Sequence, residues 1–361
     1  MTTERRWHGL DALRAAMMLL GVLLHVACSY QLGTADAGWP YRDPQQSLGA
    51  TVLVLGVHLF RMPLFFVLAG FFGALLIAKR GRRGFARQRL YRLGVPLIAG
   101  TLTVVPLVGL AFAYAHGVPA AWKPWPDGSL AHLWFLWYLL LLSGAGLALH
   151  TLHTLHTHWS LSWLQQLVDP RRTWLLVVLT WLPLMTMPGP SISTPGGWWP
   201  QWPTLALYGY CYAVGWQLYA QPTVLDAWQA RAVRRTLVGI LCAAVAVVAA
   251  LVWYHTSSTG TPSTAAFVLG QAANAGTIWY LSSGLTGWCT RVMDRPHSVV
   301  RWLVDASYWI YWIHLPVVVY FTALLRKADL GLWTKIAVVF TVSLALCALL
   351  WAAVRAMSPQ R

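Results

Sequence analysis

The chain has 361 residues, 58% of them hydrophobic and only 10% charged, with 23 tryptophans. Such a composition excludes a soluble globular domain and describes a polytopic membrane protein. The net charge of +16 does not point to nucleic acid, because the basic residues fall between apolar runs rather than on one soluble face.

The first apolar run, residues 10–32, is long enough to cross a bilayer and longer than the core of a secretory signal, so it is read as a span and not as a cleaved leader. It contains Arg14 and His25. Ionisable groups in hydrocarbon are costly unless they have partners, which makes both functional candidates. On a helix the two share one face, about 16 Å apart along the axis. Asp11, three residues before Arg14, joins that face and is placed to orient and neutralise the guanidinium. Cys28 lies one turn beyond His25, where a thiol–imidazole dyad and a small buried hydrophobe are both open readings.

The second span, residues 50–78, carries His58, Arg61 and Pro63, then Gly70 and Gly73 among phenylalanines. The proline is expected to kink or restart the helix, and the glycines to let neighbouring backbones approach. His58 and Arg61 face an outer vestibule or snorkel to the outer interface. The acid-free stretch KRGRRGFARQRLYR, Lys79 to Arg92, marks a cytoplasmic side. Within it Arg89 and Arg92 are three apart at the mouth of the third span, residues 93–115, and are suited to clamp phosphate oxygens.

The fourth span, residues 131–150, ends in His150, His153, His156 and His158, a solvated edge rather than a metal site because no carboxylate or thiol accompanies them. Spans follow at 173–187, 204–220, 236–255, 264–288, 303–325 and 333–353. Gln271 and Asn274 in the eighth share a face suited to interhelical hydrogen bonds. The ninth holds Ser307, Tyr308, Tyr311 and His314 before Pro316, where the imidazole is a second catalytic group or a core histidine. The five cysteines are scattered and suggest neither disulfides nor zinc.

Ten spans make one domain, 1–361, an all-α membrane bundle. Arg5, Arg6, the Lys79–Arg92 run, Arg171, Arg172, Arg231 to Arg235, Arg291 to Arg301, Arg355 and Arg361 fall on one side. Arg42, Arg61, Lys123, Arg326, Lys327 and Lys335 fall on the other, so both termini are expected in the cytoplasm. Lipid-facing and partner-facing apolar surfaces look alike in sequence, which leaves a homo-oligomer open.

The opening RWHGLDALRAAMMLLGVLLH resembles that of the acyltransferase-3 family of integral membrane acyltransferases. FRMPLFFVLAGFF from Phe60, the Arg89-x-x-Arg92 pair in RQRLYRLGVP, HLWFLWYLL from His132 and ASYWIYWIHLP from Ala306 follow in the family's order. Ala69-Gly70 stands where the family usually has serine or glycine after the LPLFF-type segment. No esterase-like domain follows the last span, so the membrane module alone is expected.

The resemblance implies a multi-pass protein of the bacterial inner membrane. It would transfer an acyl group, succinyl favoured and acetyl possible, from cytoplasmic acyl-CoA to a hydroxyl of a periplasmic glucan or similar glycan, without a metal. It assigns His25 as the essential histidine, Arg14 as its partner, and Arg89 and Arg92 as the pair associated with the donor. Residue chemistry runs the same way: a sugar hydroxyl is a poor nucleophile until a base takes its proton, and a neutral imidazole can do so. Tyr311, Asn274 and Arg14 are open candidates for oxyanion donors, and His314, Tyr311, Asn274, Arg61 and His58 for substrate contacts. The rival reading is a glycan or small-molecule transporter or flippase, since paired intramembrane charges also mark substrate paths. No internal repeat of the transporter kind is visible.

Overall fold

The computed structural model describes residues 7–34, 39–119, 128–155 and 168–357. Arg5, Arg6, Lys123, His156, His158 and Arg361 lie outside the described residues. The described residues are helical throughout, apart from connections and one isolated bridge between Ser129 and Gly197.

Helix α1 spans His8–Cys28, α2 Leu48–Arg89, α3 Val95–Leu102, α4 Val104–His116, α5 Trp134–Leu155 and α6 Thr173–Met185. Then come α7 Trp202–Ala220, α8 Pro222–Ala230, α9 Ala232–Ser258, α10 Thr264–Val292, α11 Ser298–Leu324 and α12 Leu332–Met357. Ser47 caps α2 by accepting from the Gly49 amide at 3.1 Å, and Ser263 caps α10 from the Ala266 amide at 3.2 Å.

The helix does not restart at Pro63. Pro63 lies inside continuous helix, and the interruption in α2 falls at Gly81, with φ 65 and ψ 178. That left-handed φ is open to glycine at no steric cost. The chain folds back there: an Arg89 Nη lies only 3.4 Å from where a Gly73 Cβ would sit, although sixteen residues of unbroken helix would put about 24 Å between them. The basic run is therefore mostly helix, and it passes through a π-helical segment, Leu90–Gly94, into α3. Between α3 and α4 the break at Thr103 precedes Pro106, which supplies no amide hydrogen to continue the ladder.

Among the described residues, six helical stretches are long and apolar enough to cross a membrane by themselves: His8–Cys28, Leu48–His116, Ala131–Leu155, Ala232–Ser258, Ser298–Lys327 and Leu332–Met357. Leu48–His116 holds two of the ten expected spans. The segments expected at 173–187, 204–220 and 264–288 are helical as α6, α7 and α10 but are not among the six. Interior position accounts for α10, which packs against α1, α2, α6, α8 and α9 and buries Gln271, Asn274, Thr277, Ser282 and Ser283 where lipid-facing helices carry leucine. By contrast, α9 exposes Leu237, Ile240, Leu241, Val248 and Val252, a surface that suits acyl chains and not water.

Helix α1 is the centre of the bundle, in contact with α2, α10, α11 and α12. The crossing of α2 and α7 is set by glycine: a Cβ on Gly70 would overlap the Tyr212 carbonyl, and one on Gly215 the Val67 carbonyl. Gln271 ties α10 to the end of α6 by donating to the Leu184 and Gly189 carbonyls at 2.7 and 2.9 Å.

Candidate active site

Because α1 is unbroken, the shared face of Arg14 and His25 survives into three dimensions, and its two ends line different cavities. The inner cavity, of about 690 Å³, is walled by Asp11, Arg14, Gln88, Arg89, Arg92, Asp305, Tyr308, Trp351 and Arg355 among others. Arg14 pairs with Asp11 at 3.1 Å and lies over the Phe72 ring at 4.9 Å. Arg89 covers the Phe85 ring at 5.2 Å, and the Arg92 carbonyl accepts from the Tyr308 hydroxyl at 2.6 Å. Arg92 and Arg355 are exposed, so this cavity reaches the surface at the basic end of the bundle.

The outer cavity, of about 650 Å³, lies at the C-terminal half of α1 and is lined by His25, Trp39, His58, Arg61, His132, Tyr311 and His314. Among the described residues, none in its lining is acidic. The Trp39 ring stacks on His25 with centroids 5.6 Å apart and planes 17° apart, and its indole N–H donates to the Ser29 hydroxyl at 2.8 Å. His25 and His314 have ring centroids 5.2 Å apart, and His314 and His132 5.1 Å. The Arg61 guanidinium rests against Gly21, one turn before His25, where any Cβ would overlap it. Its one hydrogen bond is to the Met62 sulfur at 3.3 Å, and its buried Nε has no partner. Met18, Phe65, Phe135 and Tyr311 line both cavities. The two chambers thus meet at four side chains.

Asp11, Arg14, Arg89 and Arg92 are gathered at the inner cavity, and His25, His58, Arg61 and His314 at the outer, with Tyr311 between. Asn274 is in the wall of neither; it is fully buried on α10 with both amide atoms unpartnered. Cys28 is buried in the outer wall. At the far end of α5, His150 lies against Trp216 with centroids 6.1 Å apart. Among the described residues no cluster of three or more histidine, cysteine or acidic side chains is arranged to hold a metal ion.

Sequence reasoning assigned no role to His132 or Trp39. His132 had a signal, an ionisable residue at the head of an apolar run. Trp39 sits in a connection, where nothing marks it as a lid on His25.

A family model described as Acyltransferase domain matches residues 7–352. The chain is 32% identical over 144 residues to glucans biosynthesis protein C of Shigella dysenteriae serotype 1 and 31% identical over 144 residues to that of Escherichia coli K12. Each match covers 36% of this chain and 35% of the relative, so the chain spans about a third of the length of these relatives. No solved structure matches.

Proposed function

The chain belongs to the acyltransferase family that its residues 7–352 match, and on that premise we propose that it carries an acyl group from cytoplasmic acyl-CoA to a hydroxyl of a periplasmic glucan or similar glycan, with His25 as general base. The observation that carries this reading is the placement of Arg14 and His25 in separate cavities along one helix.

The inner cavity suits the donor. Arg89 and Arg92 sit where phosphates arriving from the cytoplasm would meet them, and Arg14, held by Asp11, lines the same wall. The thioester then reaches toward Met18 and Tyr311, and the acceptor hydroxyl enters from the opposite side, beside His25. The imidazole takes the hydroxyl proton as the oxygen attacks the thioester carbonyl carbon. The tetrahedral intermediate collapses, its C–S bond breaks, and the leaving thiolate recovers the proton from the imidazolium, giving ester and free CoA.

Succinyl is favoured over acetyl because of Arg61. A half-buried guanidinium with a buried Nε and no carboxylate partner, in a cavity without acids among its described lining residues, is expensive unless a ligand supplies the counter-charge. The distal carboxylate of a dicarboxylic acyl group would do so within reach of His25. The protein acts, in this reading, in the inner membrane of a bacterium.

Purified protein in liposomes, given succinyl-CoA and a glucan, tests this. Free CoA and succinylated glucan should appear together and both vanish in His25→Ala. Movement of glucan across the bilayer without CoA release would instead support the transporter reading.

A further inference from the structure

The imidazoles of the outer cavity share a feature that general-base catalysis by His25 does not use. His132 Nε2 lies 3.1 Å from the Trp312 carbonyl, His314 Nδ1 lies 2.7 Å from the Tyr311 carbonyl, and His58 Nε2 lies 2.7 Å from the Ile192 carbonyl. A carbonyl only accepts, so each of these nitrogens carries the ring proton. While the rings are neutral, the opposite nitrogens are bare lone pairs. His132 Nδ1 and His314 Nε2 are buried without any partner, as is His25 Nδ1, and His132 and His314 are 6% and 3% exposed. The Tyr311 hydroxyl in this wall is already committed, since it donates to the His132 carbonyl at 2.8 Å. Unsatisfied buried acceptors are costly and call for a donor.

We propose that His314 and His132 form an acceptor-only subsite that binds a second hydroxyl of the sugar whose first hydroxyl is presented to His25. The ligand class is a 1,2- or 1,3-diol within one sugar ring, and a lone alcohol is disfavoured because it leaves the His314 and His132 lone pairs empty. The adjacency of the three rings, centroids 5.1 and 5.2 Å apart in the order His132, His314, His25, suits two neighbouring hydroxyls. The proposal rests on the acyl-transfer reading above and adds the acceptor's recognition element.

The test uses the full chain with succinyl-CoA and two probes that offer the same primary hydroxyl, methyl β-glucoside and cyclohexylmethanol. The wild type should use the glucoside at least tenfold more efficiently. His314→Asn retains an N–H toward the Tyr311 carbonyl, and His132→Gln one toward the Trp312 carbonyl, while both remove the imidazole lone pair. Each should raise the glucoside KM at least tenfold, leave the donor KM within threefold, and cost at least tenfold more on the glucoside than on cyclohexylmethanol. Equal losses on both acceptors, no wild-type preference, or one tightly bound zinc per chain would each overturn the subsite. Absence of CoA release from the wild type with either probe would sink acyl transfer itself, and this proposal with it.

Discussion

The inner and outer cavities share one helix and four side chains, yet they treat charge in opposite ways. Inside, Arg14, Arg89, Arg92 and Arg355 stand among Asp11 and Asp305, and Arg92 and Arg355 reach water. Outside, a single turn of α1 brings a guanidinium and an imidazole together with no acid among the described residues of the wall. Cations at a membrane boundary are cheap and can be plentiful, which suits a mobile polyanion. Charge at mid-depth is costly, so it is kept where a reaction or a permanently charged ligand uses it.

That contrast is broken or sharpened by substitutions on each side. The largest effect belongs to His25→Ala, which should lower transfer by about 10³-fold or more and leave donor affinity within a factor of two, read by steady-state kinetics alongside CoA-analogue binding. A parallel loss of donor binding would show that the two cavities are not separate functions. Next, Arg61→Gln should cost about 100-fold with succinyl-CoA, roughly 3 kcal/mol for a charge-assisted pair, but less than fivefold with butyryl-CoA. Equal loss with both donors would reassign Arg61 to the developing oxyanion or to packing. Removing Arg89 or Arg92 singly should raise the donor KM by about tenfold with kcat nearly unchanged, an effect that shrinks in salt; a kcat defect would place them at the reacting carbonyl instead.

Two smaller effects concern the connection that brings Trp39 over His25. Asp43 and Lys335, each 1% exposed, lie 3.9 Å apart, and the Lys335 ammonium also donates to the Arg326 carbonyl at 3.2 Å. Asp43→Asn strands that ammonium and should lower stability by about 3 kcal/mol, seen as a lower thermal midpoint in detergent. Burial, aided by the Asp43 carboxylate, pushes the neighbouring Tyr41 hydroxyl up to about 12. A raised value means that this contribution to stability is complete below the ordinary tyrosine range near pH 10 and is lost as pH climbs toward 12. The thermal midpoint of wild type should therefore fall between pH 10 and 12 more than that of Tyr41→Phe.

The central helix was legible because hydrophobic length and the eleven-residue spacing of Arg14 and His25 are local facts that an unbroken α-helix preserves. The pairing of Asp11 with Arg14 follows from the same period. What could not be read was anything depending on the register between helices. His132 and His314 are 182 residues apart in sequence, and only the packing of α11 beside the start of α5 brings their rings together. The position of the helix break is hidden for a related reason: Pro63 is accommodated within continuous helix, whereas Gly81, inside a basic run, takes the left-handed conformation that reverses the chain. Asn274 was singled out as a polar residue in a span, but it faces the interior of the helix pack rather than a cavity.

The most direct test of the account is transfer across a sealed bilayer. Protein inserted in one orientation receives succinyl-CoA only on the side of Arg89 and Arg92 and glucan only on the opposite side. The account predicts succinylated glucan on the acceptor side, one CoA released on the donor side for each ester formed, and neither product with His25→Ala. Ester formation that requires both reactants on the same side, or that continues without the His25 imidazole, would contradict it.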